Sequence, residues 1–122
     1  MRVIVSGQRD WKGRKCAKKM VTRLMQLPSN TLIIHGNAEG ADRMADKIAK
    51  LLGLDIKRYP LYKSDWKRHG KAAGVLRNQR MINDNKPDLV LCFFTKYSES
   101  KGTKDMLRRA QEYGCDWESI AP

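Results

Sequence analysis

The residues best suited to chemistry lie in the first third of the chain, in a run of glycines, small residues and a carboxylate. The run is His35-Gly36-Asn37-Ala38-Glu39-Gly40-Ala41-Asp42, directly after a short apolar stretch. Glycine tolerates positive φ and lets another group approach the backbone closely. Backbone N–H groups at a helix start attract phosphate, because they are unpaired and the helix dipole is positive there. We therefore predict an anion site that uses Gly36, Asn37, Ala38, Gly40 and Asp42, although a plain strand-to-helix turn would also need glycine.

Two other stretches have a similar composition and follow apolar runs of their own. They are Gly7-Gln8-Arg9, after the run 3–5, and Gly102-Thr103, after the run 89–94. In a parallel sheet, ligands bind beyond the carboxyl ends of the strands, where the strand order reverses. The phosphate-binding set is therefore predicted to include Gly7, Gln8, Arg9, Gly102 and Thr103.

Apolar runs and their spacing predict the elements that position these loops. Short apolar runs predict strands at residues 2–6, 31–34, 54–59 and 88–94, with a possible edge strand at 115–120. Apolar residues at helical spacing predict helices over 14–27, 41–52, 75–85 and 104–113. The polar segment 61–74 shows neither pattern, and its length predicts a functional loop or lid. This alternation predicts an α/β fold whose mostly parallel sheet is covered on both faces.

Length and charge limit the possible functions. With 122 residues, the chain has room for a single domain, residues 1–122. It carries 25 Lys and Arg against 13 Asp and Glu, a formal net charge of +12 at pH 7. Much of this charge lies in two basic runs, 12–23 and 57–80. Such an excess favours phosphorylated small molecules or nucleic acid as partners.

Cysteine usage and hydropathy predict a reducing, cytoplasmic setting. Cys16, Cys92 and Cys115 are an odd number without CxxC spacing, which favours free thiols and no structural zinc. Because no apolar run reaches the length of a membrane span and none resembles a signal peptide, no membrane partner is expected. The aspartates are too scattered in sequence to predict a metal site, and no cofactor is expected.

Several motifs in order resemble one known family. They are Val5-Ser6-Gly7-Gln8-Arg9-Asp10-Trp11, the 35–43 run, Asp65-Trp66, Gly70-Lys71-Ala72-Ala73-Gly74-Val75-Leu76-Arg77-Asn78, Met81, Lys86-Pro87-Asp88-Leu89-Val90 and Gly102-Thr103-Lys104-Asp105-Met106. The chain resembles the DUF2493 family, the YspA-type members of the SLOG superfamily. That superfamily includes LOG-type nucleoside-monophosphate phosphoribohydrolases and the DNA-binding DprA proteins. The resemblance implies a Rossmann-like three-layer α/β/α fold with a sheet of about five strands, a nucleotide-derived ligand and a homodimer.

The resemblance also implies roles for Arg77, Asn78 and Asp105. LOG enzymes carry an Arg-Lys-x-x-Met segment that supplies an arginine to the site, and Arg77-Asn78-Gln79-Arg80-Met81 keeps that spacing. Arg77 is therefore the candidate for holding ligand phosphate or sugar, because guanidinium forms two parallel hydrogen bonds to such oxygens. The alternative places Arg77 on a solvated helix face.

This chain departs from the LOG pattern at the catalytic glutamate, where it has Met106. Cleavage of an N-ribosidic bond needs a carboxylate, which a thioether does not replace. Asp105 is the nearest acid and is the catalytic candidate beside Arg77. The other carboxylates that would substitute are Glu39, Asp42 and Glu99.

Three functions follow from these observations. The first is a nucleotide-binding module, the second a LOG-like nucleoside 5′-monophosphate hydrolase, and the third a DprA-like, sequence-independent binder of nucleic acid. Base stacking is assigned to Trp11, Trp66, Tyr62 and Tyr97, which otherwise serve as packing residues. His35 either contacts ligand or is a satisfied buried imidazole.

Overall fold

The computed structural model describes residues 1–95 and 100–122. Its sheet has five strands in the order β3-β2-β1-β4-β5, and every neighbouring pair is parallel. The strands are β1 (Arg2–Gly7), β2 (Leu32–His35), β3 (Asp55–Arg58), β4 (Leu89–Phe93) and β5 (Asp116–Ile120). All five predicted strands are confirmed, with ends that differ by one residue or so because apolar patterns mark strand centres better than strand ends.

Within the described residues, five helices connect the strands. They are α1 (Arg14–Met25), α2 (Ala41–Leu51), α3 (Lys63–His69), α4 (Ala73–Asn85) and α5 (Lys101–Tyr113). The apolar stripe of α1, at Cys16, Met20 and Leu24, is buried as its spacing predicts. Helix α5 starts three residues before the predicted position, so Lys101 and Gly102 belong to its first turn instead of a loop.

Helices cover both faces of the sheet, which gives the molecule three layers. In β1, Val3 and Val5 join one core cluster with residues of α1 and α2, whereas Ile4 joins a second cluster with residues of α4 and α5. This alternation follows from the two-residue period of a strand. The predicted Rossmann-like α/β/α fold is confirmed.

The segment 61–74 is not the loop that its polarity predicts. It forms α3 and a 3-10 turn (Gly70–Ala72), and no side chain of either is buried. The amino end of α3 is fixed by Asp65, whose carboxylate accepts the Tyr62 N–H at 2.8 Å. A helix without a buried face has no apolar periodicity, so the sequence pattern misses it.

The strand order reverses between β1 and β4. The chain moves from β1 outward to β2 and β3, then crosses to β4 on the other side of β1. A crevice therefore opens beyond the carboxyl ends of β1 and β4, the usual ligand position in such sheets. In the described part of the chain, no helix combines the length and apolar character needed to cross a membrane.

Candidate functional site

A cleft of about 540 Å³ lies at this crevice. Its walls come from the end of β1 and the loop after it, the loop before α2, the α3 to α4 region and the start of α5. The predicted site residues that line it are Gly7, Gln8, Arg9, Ala38, Asp42, Arg77, Asn78, Gly102 and Thr103. Four other predicted residues, Gly36, Asn37, Gly40 and Asp105, do not line it.

The loops after β1 and β2 interlock through two glycines. A Cβ on Gly7 would lie 2.3 Å from the Ala41 Cβ, and a Cβ on Gly40 would lie 2.3 Å from the Gln8 carbonyl oxygen. Gly40 also has φ of +87°, a conformation that favours glycine. The Ala41 N–H donates to the Gln8 carbonyl at 3.2 Å, and the Gln8 side chain accepts the Thr95 N–H at 2.7 Å. Three of the predicted loops therefore meet, and Gly40 is the position at which two of them pack most closely.

The amides of the loop after β2 donate to side chains of the same protein. The Gly36 and Ala38 N–H groups both donate to Asp42 Oδ2, at 3.0 and 3.2 Å. The Asn37 N–H donates to His35 Nδ1 at 2.9 Å. The prediction that these three amides bind phosphate is therefore wrong, because nearby side chains of the same protein satisfy them first.

Asp42, which accepts two of these amide hydrogen bonds, is buried. It lies in the first turn of α2 and lines the cleft with its side chain almost wholly inside the protein. Burial raises the pKa of the Asp42 carboxyl above its ordinary value, and the neighbouring His35, backbone amides and Arg77 only partly oppose that rise.

His35 is a satisfied buried imidazole. Its side chain has no exposure, and Nε2 lies 2.7 Å from Asp46 Oδ2. Because Nδ1 accepts the Asn37 N–H, Nε2 carries the proton and donates to Asp46. Arg58 and Lys50 also bind Asp46, and the Arg58 hydrogen bonds in particular hold the pKa of that carboxyl well below its usual range.

Arg77 is anchored between two strand ends. Its Nη1 donates to the Gly36 carbonyl at 2.7 Å and to the Tyr59 carbonyl at 3.2 Å. A Cβ on Gly36 would lie 2.5 Å from the guanidinium carbon, so glycine is what lets Arg77 pack here. Burial lowers the pKa of Arg77, against the opposing effect of Asp42. Its Nε is buried and has no hydrogen-bond partner among the described residues.

Asp105, the catalytic candidate beside Arg77, does not line the cleft, and neither does Met106. Met106 is fully buried in the core cluster beside α4. The Asp105 carboxylate accepts hydrogen bonds from Asn78 at 3.0 Å, from Arg109 at 2.8 Å and from Arg108 at 3.1 Å. Although burial acts to raise the pKa of Asp105, the bonds from Arg109 and Asn78 lower it on balance. Asp105 therefore joins α4 to α5 and is committed to structure.

The first turn of α5 opens onto the cleft. Ser100, Lys101, Gly102 and Thr103 all line it, and the first intrahelical donor of this end is the Lys104 N–H, which bonds the Ser100 carbonyl. The N–H groups of residues 101–103 precede the first intrahelical bond, as at any helix start. Asn78 holds this turn from α4 by donating to the Gly102 carbonyl at 3.3 Å. The Thr103 hydroxyl is buried and accepts a hydrogen bond from Ser100.

Charged groups and one tryptophan surround the cleft. Lys71 and Lys101 line the cleft, but the sequence patterns do not predict them as site residues, because solvated lysines are common. The glycines next to them, Gly70 and Gly102, are the features of the sequence that could indicate them. Arg9 lies 4.0 Å from Glu39 in an exposed ion pair. Asp10 also lines the cleft. Among the described residues, no group of three or more His, Cys, Asp or Glu side chains could hold a metal ion.

The aromatic candidates separate clearly. Trp66 lines the cleft and is 50% exposed, as a base-stacking residue must be. Trp11 is buried against Phe93, with ring centroids 5.3 Å apart, so its stacking assignment is wrong. Tyr62 is exposed but does not line the cleft. Tyr97 and Glu99 lie outside the described residues.

Comparisons with known proteins agree with this architecture. Residues 1–69 match the family model described as YspA, cpYpsA-related SLOG family. The chain is 36% identical over 117 residues to the Gene 61 protein of Mycobacterium phage D29, covering 93% of this chain and 90% of that protein. It is also similar to the solved structure of DNA processing protein A (DprA) from Streptococcus pneumoniae, with a TM-score of 0.76 and 20% sequence identity. That match covers 98% of this chain and 50% of the DprA chain, and at this identity it shows the fold alone.

The family match carries more weight than the structural likeness. It covers more than half of the chain, and it contains the interlocked loops of Gly7 and Gly40 as well as Asp42. The motif-based resemblance is thereby confirmed. The chain belongs to the YspA, cpYpsA-related SLOG family.

Proposed function

We propose that the protein binds a nucleotide or a nucleotide-derived ligand in the cleft beyond β1 and β4. The observation that carries this proposal is the meeting, in one cleft, of the α5 first turn, Lys71, Lys101 and the exposed Trp66. A helix start and two lysines suit phosphate, and an exposed indole suits a base. The volume of the cleft is also within the usual range for small-molecule sites. Membership of the SLOG family supports nucleotide or nucleic-acid binding at this coarse level.

Isothermal titration calorimetry tests the proposal. The probes are AMP, GMP, their di- and triphosphates, their 3′,5′-cyclic forms and inorganic phosphate. At least one nucleotide should bind to a single site, and Trp66→Ala should weaken its binding by about five- to 150-fold, the range for one stacked base. Trp117→Ala is the matched control, because Trp117 is similarly exposed, at 43%, but lies on β5 away from the cleft. Absence of heat with every probe in a folded sample contradicts the proposal.

Hydrolysis of the N-ribosidic bond has less support. Met106 is in the core and Asp105 is committed to Asn78, Arg108 and Arg109. The same samples, incubated with AMP and analysed for free adenine by chromatography, test this alternative. We expect no release above the rate without protein, and release that is lost in Asp105→Ala would contradict that expectation.

Nucleic-acid binding is a second candidate, favoured by the outer face of α1. Lys15, Lys18 and Lys19 are exposed there beside a groove between α1 and β5. Affinity for a single-stranded oligonucleotide at this face would fall steeply with salt, because each neutralised phosphate releases counterions. AMP binding in the cleft should depend less on salt.

The homodimer implied by the family resemblance is likewise proposed, and light scattering in solution tests it.

A further inference from the structure

Asp42 limits how a nucleotide lies in the cleft. It is a buried carboxyl whose Oδ2 is already held by the Gly36 and Ala38 amides. Burial raises the pKa of this carboxyl, whereas the two amide donors favour its ionised form. In the ionised form, a phosphate beside it would bring two anions together away from water, where their repulsion is strong. In that form the Asp42 wall accepts hydrogen bonds from a ligand and does not donate them.

The part of the cleft formed by α5 has the reverse character. The first turn of α5, at Lys101, Gly102 and Thr103, offers donors and positive charge. The cleft therefore has one part that attracts anions, at the first turn of α5, and another that accepts hydrogen bonds, at Asp42. Arg77 lies near Asp42, but its Nη1 is already bound to the carbonyls of Gly36 and Tyr59.

A metal ion fits the Asp42 wall poorly. Among the described residues, no third His, Cys, Asp or Glu side chain completes a metal-binding group. A neutral hydroxyl fits better, because its hydrogen bond to a charged acceptor is stronger than a bond between neutral groups. A nucleotide carries such neutral donors as the 2′ and 3′ hydroxyls of ribose.

We propose that Asp42 recognises the ribose hydroxyls, so that the cleft selects ribonucleotides over their 2′-deoxy or 3′-deoxy analogues, with the ligand phosphate at the first turn of α5. This inference rests on the proposed nucleotide binding and names its sugar. The alternative partner of Asp42 is an amino group of the base. These two partners differ in which ligand change weakens binding.

Calorimetry with AMP, 2′-deoxy-AMP and 3′-deoxy-AMP tests the inference on the wild-type protein. Loss of a hydroxyl bonded to Asp42 should weaken binding at least about tenfold for one of the two deoxy forms, the effect of one hydrogen bond to a charged group. GMP and 2′-deoxy-GMP should show the same ratio, since the sugar is unchanged. If no nucleotide binds, the proposed function itself fails. If ribo and both deoxy forms bind equally, nucleotide binding stands and the inference is overturned.

The variant Asp42→Asn makes the test residue-specific. Its Oδ1 can still accept the Gly36 and Ala38 amides, so that Nδ2, a donor, is left for the ligand. A ribose hydroxyl can accept from Nδ2, but a hydrogen bond between neutral groups is weaker than one to a carboxylate, so the ribo-to-deoxy ratio should fall roughly fivefold. The matched control is Asp55→Asn, an exposed carboxylate on β3 that does not line the cleft, which should leave the ratio unchanged. An unchanged ratio in Asp42→Asn overturns the inference, and if that variant does not fold, the wild-type comparison of deoxy ligands still decides.

Discussion

At the scale of single residues, a side chain beside a glycine-rich loop can either bind a ligand or occupy the loop's own hydrogen-bond donors. Asp42 accepts hydrogen bonds from the Gly36 and Ala38 amides, which the glycine pattern assigns to a ligand. Sequence spacing cannot separate these outcomes, because an Asp in the first turn of a helix binds nearby amides as readily as an outside anion does. Trp11 shows the same limit, since a tryptophan beside a loop either stacks on a ligand or fills the core. Gly7, Gly102 and Arg77, by contrast, were placed at the cleft from sequence.

The substitutions Gly40→Ala and Gly102→Ala should change the free energy of unfolding in opposite directions. In Gly40→Ala the new Cβ meets the Gln8 and Arg9 carbonyl oxygens in a φ of +87°, so the free energy of unfolding should fall by more than about 1 kcal/mol. In Gly102→Ala the Cβ meets no atom of the described residues within 4 Å in a helical turn, so unfolding free energy should rise by about 0.4–1 kcal/mol. Urea unfolding measures both.

The stabilised Gly102→Ala variant also tests the site. Its Cβ enters the lining of the cleft, so AMP should bind more weakly although the fold is more stable. Equal or tighter AMP binding in this variant would place the phosphate elsewhere.

At the scale of elements, the sequence predicts those that bury an apolar face and misses those that do not. The strands and α1 carry the residues of the core, and their apolar spacing marked them. Helix α3 contributes no buried residue, and the Ser100-Lys101-Gly102 start of α5 is polar, so both had the composition of a loop. Helix α3 and the first turn of α5, which the sequence pattern does not predict, hold Trp66 and Lys101, which form part of the cleft.

Helix α3 should depend on its amino-terminal cap. In Asp65→Ala the Tyr62 N–H loses its acceptor, and amide hydrogen exchange in the helix should accelerate roughly fivefold, for a cap worth about 1 kcal/mol. Global stability should change little, because no α3 side chain is buried. Asp116→Ala, on β5, is the control and should leave α3 exchange unchanged. A large loss of global stability in Asp65→Ala would show that α3 packs more firmly than its exposure indicates.

A bidentate ion pair joins α1 to the edge strand β5. The Arg23 guanidinium donates to the two Glu118 carboxylate oxygens at 2.8 and 2.6 Å and holds the pKa of Glu118 below its ordinary value. A depressed carboxyl pKa stabilises the fold above the unfolded pKa, about 4.3, and that contribution is lost as pH falls through the folded pKa. The pKa values of Asp46 and Asp105 are also lowered in the folded protein, whereas burial raises the pKa of Asp42.

Acid unfolding should report the Arg23 pair. Between pH 7 and pH 3, wild-type protein should lose more unfolding free energy than Glu118→Gln does, by up to about 1 kcal/mol because Glu118 is partly exposed. Glu112→Gln, which removes an exposed pair with Arg108, is the matched control and should behave as wild type. Urea midpoints at the two pH values provide the measurement. An identical pH response of wild type and Glu118→Gln would show that the pair contributes nothing.

At the scale of the whole molecule, the position of the cleft follows from topology. Any parallel sheet ordered β3-β2-β1-β4-β5 opens beyond β1 and β4, and the excess positive charge of the chain favours anionic ligands. The alternation of elements predicted this sheet. The identity of the cleft-lining residues depended on side-chain hydrogen bonds such as those of Asp42 and Asn78, which a pattern of residue types does not determine.

A nitrogen-edited NMR titration with AMP asks at single-residue resolution whether a nucleotide occupies this cleft with its phosphate at α5. We expect saturable shifts of the Gly102 and Thr103 amides and of the Trp66 indole N–H, with the amides of α1 unchanged. Shifts confined to α1, or none at all in the folded protein, would contradict this expectation.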